Sequence, residues 1–449
     1  MFRKVLVANR GTAAIRIIRA LDALGIAAVA VYSDADRDLP YLVRASEAHP
    51  IGPGPARESY LDQEKLLEIA RRSGADAVHP GYGFLAENAA FARRVRDAGL
   101  AFIGPSPRLI ETMGEKTRAR ALVAREGMPL AQGSAMLGED ATAAEHAASE
   151  IGYPVLIKPA AGGGGIGMIA ARDRAELQKG LDRARSVALR SFGRAEVYLE
   201  KLIDRPRHIE IQILADQYGA VRHLFERDCS LQRRHQKIVE EAVAPGIARA
   251  EIEAIAARTV AVLQALGYDN IGTVELLRGA DGAFSFLEVN TRLQVEHAVT
   301  EMLLGIDLVV AQIRAAAGEH LHTILPATLT PRGHAIEARV YAEDPKTFFP
   351  SPGFLTRFRP PAESQHLRVD TGYAEGCTVT PFYDPMLAKV IAFAPDRRAA
   401  ITRLADALSA FEIEGPKSNI AFLLRALADE RFRAGALDTG LAAEISRSS

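Results

Sequence analysis

Cysteine is almost missing from this sequence. The two present, Cys229 and Cys377, stand far apart and form neither a CxxC pair nor a Cys/His metal spacing. That excludes a disulfide-built secreted fold and fits a reducing, cytoplasmic setting. Long apolar runs are missing too: none reaches the roughly 18 residues that a membrane-spanning helix needs. The opening MFRKVLVANRG carries basic residues but no apolar stretch followed by a cleavage site. Neither charge is in excess. With 55 Lys and Arg against 56 Asp and Glu, the net charge is −1. The surface as a whole therefore offers no attraction to nucleic acid or to an anionic membrane. Any anion site must be built from local clusters. There is no internal repeat, no low-complexity tract and no Ser-His-Asp order.

What is present is an ordinary globular composition. Hydrophobic residues make up 48% and charged residues 25% of 449 positions, enough for two or three domains with a large core. Residues 4–8 read as a short strand. Residues 12–24 read as a helix, with Ile15, Ile18, Leu21 and Leu24 near helical spacing, and 26–32 as a second strand. A helix at 62–72, a strand end at 77–79 and the loop HPGYGFLAEN (79–88) continue the alternation. This predicts a parallel α/β sheet over about the first hundred residues. From Lys116 the pattern changes. A helix at 116–126 is followed by strands at 154–158, 196–201, 208–214, 272–277 and 283–289, an antiparallel-rich α+β block. A third region from Pro331 carries short strands, among them 335–340 and 387–393, and ends in helices from Arg397 onward.

The loudest local signal is the run Gly162-Gly163-Gly164-Gly165-Ile166-Gly167. Glycine lets the backbone approach a ligand closely and turn successive N–H groups inward. A Walker A loop needs a lysine before a helix. This run lacks that lysine, and a strand-like stretch follows. It reads as a flap able to close over nucleotide phosphates, or as a plain mobile hairpin. Lys158 favours the flap, because it ends an apolar strand where a free ammonium is costly unless it meets an anion. Lys116 is a second candidate cation. Glu200-Lys201-Leu202-Ile203 follows an alternating strand, whose edge could offer backbone groups to an adenine ring; a charged strand end is the alternative.

Glu288 and Asn290 are two apart on a predicted strand and so share a face, and Glu275 sits on the preceding strand of the same hairpin. Two carboxylates and an amide suit oxygen-seeking Mg²⁺ at about 2.1 Å, with nucleotide phosphates completing the octahedron. The apolar flanks Val274, Leu276, Phe286, Leu287 and Val289 argue against a merely solvated face. If extended, residues 292–296 put Arg292, Gln294 and Glu296 on one face. That pairs a guanidinium for a planar anion such as bicarbonate with a carboxylate able to take a proton. A polar strand edge fits this segment equally well. Arg233-Arg234-His235-Gln236-Lys237 concentrates positive charge, as an anion site or as a solvated basic face. Cys229 has no activating partner, and His79 and His208 read as lone structural histidines.

Taken together, these motifs resemble the biotin carboxylase family of ATP-grasp enzymes over nearly the whole chain. The matching segments are VANRG (7–11), HPGYGFLAEN (79–88), FIGPS (102–106), MGEK (113–116), KPAAGGGGIGM (158–168), ERDCSLQRRHQK (226–237), EVNTRLQVEH (288–297), AEDP (342–345) and PFYDPMLAK (381–389). The glycine run and acidic hairpin are shared by ATP-grasp enzymes broadly. RRHQK and TRLQVEH are far more specific to biotin carboxylases.

The resemblance implies a Rossmann-like pre-ATP-grasp domain (1–115), an ATP-grasp domain (116–330) with a Gly-rich lid at about 131–203, and a C-terminal biotin carboxylase domain (331–449). It implies ATP held by Lys116, Lys158 and the lid glycines Gly162, Gly163, Gly164 and Gly165. Glu200, Lys201 and Ile203 would bracket adenine, with His208, Gln232 and His235 close by. Mg²⁺ or Mn²⁺ would sit on Glu275 and Glu288, assisted by Asn290. Bicarbonate would be held by Lys237, Arg292, Gln294 and Val295 and deprotonated by Glu296. Arg339 would stabilise the biotin enolate. The implied reaction is ATP-dependent carboxylation of biotin through carboxyphosphate.

No AMKM-like sequence for biotin attachment is visible. Biotin is therefore expected on a separate carrier protein, with carboxyltransferase subunits completing an acetyl-CoA-type carboxylase. Urea and pyruvate carboxylases are the alternatives, and a homodimer is expected. Three positions depart from the family pattern: Ile166 where Arg or Lys is usual, Thr12 where Glu is common, and Pro159 where a small residue is usual. None removes the metal pair, the base or the bicarbonate arginine. Another ATP-grasp ligase would share Lys116, Lys158 and the acidic hairpin but lack RRHQK followed by RLQVEH. A non-catalytic nucleotide-binding protein would lose Glu275, Glu288, Arg292 or Glu296, and all four are present.

Overall fold

The computed structural model describes residues 1–138, 140–160 and 166–447. Five parallel strands open the chain, in the spatial order Glu47–Gly52, Ala27–Ser33, Lys4–Val7, Ala77–His79 and Ala101–Phe102. The central strand shows why. Its side chains alternate between two cores: Val5 and Val7 pack with Ile15, Ile17 and Ile18 of the helix Gly11–Ala23. Leu6 packs with Leu66 and Leu67 of the helix Gln63–Arg72 and with Phe91 of the helix Ala89–Asp97. A sheet covered on both faces must be apolar on both. Asp62 and Asn88 cap the latter two helices, accepting from the N–H groups of Lys65 at 3.1 Å and Phe91 at 2.8 Å. Each cap contributes about 1 kcal/mol.

The largest sheet has eight strands, each antiparallel to its neighbours. Their order is Phe284–Asn290, Asn270–Arg278, Arg207–Ala215, Val221–Arg233, Gln236–Ala242, His334–Tyr341, Met386–Ala394 and Leu367–Thr371. The sheet runs on across residue 331, so Arg339 shares it with Lys237 and Glu275. The long hairpin Val221–Ala242 is absent from the sequence-based expectation, because its charged residues break any apolar alternation. Those charges are buried and paired instead: Arg227 with Glu210 at 2.9 Å, Arg249 with Glu226 at 2.8 Å, and Arg207 with Asp228. At its tip Arg234 and His235 both take positive φ, 51° and 67°, as a tight two-residue hairpin turn requires.

A third sheet, Ile169–Ala171, Val155–Pro159 and Val197–Lys201, is antiparallel. The helices Ala141–Ile151 and Arg174–Phe192 cover it with a small core of its own, including Ala144, Ala148, Ile157, Leu177, Leu181 and Leu199.

One local expectation fails. Residues 292–296 are not extended. They form a loop that enters the helix His297–Leu304 at Glu296, whose φ and ψ are −81° and 12°. The period-2 argument therefore does not apply there. Among the described residues no helix is long and apolar enough to cross a membrane.

Candidate active site

A cavity of about 1070 Å³ draws its lining from segments in or beside the five-stranded, eight-stranded and three-stranded sheets. Lys116, Lys158, Glu200, Lys201, Ile203, His208, Gln232, His235, Lys237, Glu275, Glu288, Asn290, Arg292, Gln294, Val295, Glu296 and Arg339 all face it. Gly162, Gly163, Gly164 and Gly165 lie outside the described residues. The N-terminal sheet contributes its loops. Asn9 donates from Nδ2 to the carbonyls of Pro80 at 2.7 Å and Tyr82 at 2.8 Å, which sets the turn after His79 against the cavity.

On the small-sheet side, Lys158 is buried, with its Nζ 2.9 Å from Glu200. Arg120 meets the other oxygen of Glu200 at 2.9 Å. Burial lowers the pKa of Lys158, and Glu200 only partly offsets it. The strand Val197–Lys201 is not a free edge, contrary to the expectation of an open adenine-binding edge. Val155–Pro159 pairs on one side, and the 132–137 segment bonds on the other through Ser134 N to Leu199 O and Lys201 N to Gln132 O. The Lys201 ammonium bonds the carbonyls of Gly152 and Tyr153 at 2.8 and 2.9 Å.

On the large sheet, Glu275 and Glu288 are direct cross-strand partners, and Thr273 pairs with Asn290. Glu275 is crowded with donors. Its Oε1 accepts from Asn290 Nδ2 at 2.8 Å, Lys237 Nζ at 2.8 Å and Gln294 Nε2 at 3.1 Å, and its Oε2 lies 3.0 Å from His208 Nε2. Glu288 is more open, with Lys116 Nζ at 3.7 Å. Hard oxygen ligands facing one another across a hairpin, already balanced by cationic donors, fit a divalent ion that phosphates complete. His208, Glu210 and Glu275 also bring ligand atoms within 4.8 Å of one another. The ammonium of Lys237 already sits on both Glu210 and Glu275, so a protein cation fills that group.

Lys237 also reaches Glu296 Oε1 at 2.8 Å, and Arg339 Nη2 reaches Glu296 Oε2 at 2.9 Å. Burial raises the Glu296 carboxyl, but Lys237 and Arg339 outweigh it and hold this group well below the usual carboxylate range. Burial lowers Lys237, and Glu210, Glu275 and Glu296 more than reverse this. Arg292 is fixed by Glu87 at 2.9 Å and by Asn290 Oδ1 at 3.0 Å, and it donates to Gln294.

His208 is not isolated: it lines the cavity beside Glu275, as the family resemblance implies. Burial lowers its pKa and Glu275 more than reverses this. The basic segment 233–237 is not simply a solvated face: Arg233 is buried in a bidentate pair with Glu343 at 2.7 Å and stacks over Phe348, and Lys237 turns inward. The loop at 292–296 gathers Arg292, Gln294 and Glu296 without strand alternation. Glu87, Glu210 and Glu240 went unpredicted. Glu210 was within reach, since it lies two residues beyond His208 on a strand and so shares its face.

The family descriptions "Biotin carboxylase, N-terminal domain", "Carbamoyl-phosphate synthase L chain, ATP binding domain" and "Biotin carboxylase C-terminal domain" match residues 1–110, 115–324 and 337–444. The biotin carboxylase of Halalkalibacterium halodurans is 50% identical over 439 residues, covering 98% of this chain and 97% of that protein. A pyruvate carboxylase component of Methanothermobacter thermautotrophicus is 45% identical over 448 residues, covering 100% of this chain and 91% of that protein. The biotin carboxylase domain dimer of Hydrogenobacter thermophilus 2-oxoglutarate carboxylase, solved with MgADP, ADP and bicarbonate, superposes with a TM-score of 0.94. It is 43% identical and covers 99% of this chain and 98% of that one. Fold and site define an ATP-dependent ligase of mixed α/β architecture. The chain belongs to the biotin carboxylase family, and its activity is the carboxylation of biotin.

Proposed function

We propose that this chain carboxylates biotin borne on a separate carrier protein, converting ATP, bicarbonate and biotinyl carrier to ADP, phosphate and carboxybiotinyl carrier. The observation that carries the reading is Glu296, a buried carboxylate bracketed by Lys237 and Arg339 beside the anchored guanidinium of Arg292. Arg292, Lys237, Gln294 and Val295 hold bicarbonate, and Glu296 takes its proton. The bicarbonate oxygen then attacks the γ-phosphorus and ADP leaves. Carboxyphosphate splits into CO₂ and phosphate, and the phosphate removes the ureido N–H proton of biotin. Arg339 holds the enolate oxygen while the nitrogen attacks CO₂.

In the site as described, Lys237 and Arg339 hold the Glu296 carboxyl low. Negative charge on bound bicarbonate and phosphates would share Lys237 and Arg339 with Glu296 and so raise its basicity. Glu275 and Glu288, assisted by Asn290, would hold Mg²⁺ or Mn²⁺, which neutralises charge on the transferring phosphates. Lys116, Lys158 and the lid glycines hold those phosphates, with Glu200, Lys201 and Ile203 at adenine and His208, Gln232 and His235 near the ribose. Ile166, 52% exposed, leaves the lid without a cation at that position.

We place the domain divisions at 115/116 and 330/331 and the lid at about 131–203; family segments matched at 1–110, 115–324 and 337–444 and the small sheet between Val155 and Lys201 support this reading. A homodimer is supported by the dimeric relative. A separate carrier is supported by relatives named as a biotin carboxylase and as a carboxylase subunit. Two buried free cysteines fit a cytoplasmic setting. We assign the chain to an acetyl-CoA-type carboxylase. Relatives named for pyruvate and 2-oxoglutarate support a second reading, in which the transferase partner serves a keto acid. ADP release from MgATP, with and without bicarbonate, biotin and biotinyl carrier, tests the reaction. Release that depends on both bicarbonate and biotin is expected. ATP cleavage indifferent to biotin would overturn the reading.

A further inference from the structure

We infer that Lys389 is a positioning residue for the base, acting through the carbonyl of Val295. The inference rests on the assignment of Glu296 as that base. Lys389 lies on the strand Met386–Ala394, is 1% exposed and does not line the cavity. Its Nζ donates to Val295 O at 2.6 Å. Two carboxylates flank it at longer range, Asp370 at 3.5 Å and Glu337 at 3.6 Å. A buried ammonium needs counter-charge, and these two supply it. Its short bond nevertheless goes to a neutral carbonyl, one residue before Glu296.

That placement matters because residues 292–296 are a loop. A strand is held in register by its ladder; a loop needs other anchors. Here Asp370 is gripped by Arg368 at 2.9 and 2.7 Å, and Arg368 also reaches Glu301 at 2.6 Å in the helix that begins just after Glu296. The C-terminal strands therefore fix the loop at Val295 through Lys389 and the following helix through Arg368. A misplacement of about 1 Å in a reacting group costs on the order of 10²-fold in rate.

The test uses K389M, K389R and the double variant K389M/E337Q in the full chain. K389M removes the ammonium that flanks Glu337 and Asp370, and Asp370 keeps Arg368. The double variant also removes the Glu337 carboxylate, so it separates stability from positioning. Expected for K389M and for the double variant are MgADP affinity within about twofold of the parent, kcat for biotin-dependent ADP release down about 10- to 100-fold, and a raised bicarbonate KM. Unfolding midpoints should recover in the double variant while the catalytic loss stays. K389R, which keeps a charged donor, should regain most of the rate. Parental kcat and bicarbonate KM in the double variant, or failure of that variant to fold, would overturn the proposal by leaving Lys389 no role or a structural one. E296Q run alongside separates the two readings: loss there with none in K389M removes the positioning role alone, whereas full activity in E296Q removes the base and this inference with it.

Discussion

Lys237 holds its ammonium 2.8 Å from Oε1 of Glu296, and Arg339 takes the opposite oxygen at 2.9 Å. Replacing Glu296 by glutamine removes the proposed proton acceptor and leaves both cations with other partners, Glu210 and Glu275 for Lys237 and Glu240 for Arg339. E296Q is therefore expected to fold and to bind MgATP. Its rate of bicarbonate- and biotin-dependent ADP release should fall by about 10²–10⁴. Steady-state kinetics with a thermal melt on the same preparation checks both halves. Full activity would remove Glu296 as the base.

Behind Arg339, Glu240 and Glu337 are cross-strand partners with no exposed surface. Burial pushes Glu240 up to about 8 and Glu337 up to about 7, against the pull of Arg339 and Lys389. The folded state thus keeps protons that the unfolded chain releases near the ordinary value of 4.5. Stability from this pair is greatest below that value. It falls as pH rises toward 7 to 8, by on the order of 1 kcal/mol per pH unit. E337Q should flatten the slope, so that its melting midpoint gains on the parent at about pH 8 and not at about pH 4.5. Asp370 and Glu301 act at the other end. Burial raises each, but Arg368 and Arg16 respectively win and hold them low, so their contribution is lost only in acid. Equal slopes for E337Q and parent would contradict a raised Glu337.

Much of this architecture was readable from residue order. Val5, Leu6 and Val7 alternate between two cores, and Glu288 and Asn290 carry the same period-2 logic into the acidic hairpin. The hairpin Val221–Ala242 was not readable, because Glu226 and Arg227 pair with Arg249 and Glu210, and Glu241 with His334 and Arg397, all distant in sequence. Such pairings exist in space and leave no local pattern. Lys389 was readable in principle. It interrupts an apolar strand as Lys158 does, and the rule that singled out one lysine applies to the other.

The two acidic partners of the hairpin differ in what they hold. Glu275 carries hydrogen bonds from Asn290, Lys237 and Gln294 and faces His208, whereas Glu288 has Lys116 at 3.7 Å as its ion-pair partner. E288Q should raise the Mg²⁺ concentration for half-maximal rate by roughly tenfold or more, with the unfolding stability within about 0.5 kcal/mol of the parent. E275Q should lose activity and also stability, by about 1–3 kcal/mol, because buried donors lose a charged acceptor. Metal titrations and denaturant melts of both variants distinguish them. Equal stability loss in the two would refute the difference in roles.

The start of the helix Gly11–Ala23 meets the end of the strand Leu367–Thr371 at glycine on both sides. A Cβ added at Gly372 would lie 2.3 Å from the carbonyl carbon of Gly11 and 2.4 Å from Thr12 N. Both are backbone atoms, so no side-chain rotation relieves the clash. Thr12 and Ala13 line the cavity, so the displacement passes directly to the site. G372A should lose about 1–3 kcal/mol or more and raise the KM for its substrates. Gly376 supplies the control. Its φ is 89° and nothing lies within 4 Å of an added Cβ, so G376A bears only the backbone cost of about 1 kcal/mol and keeps the parental KM. Denaturant unfolding and kinetics of the pair decide the matter. A G372A protein as stable and as active as G376A would show that the contact between helix and strand does not constrain the site.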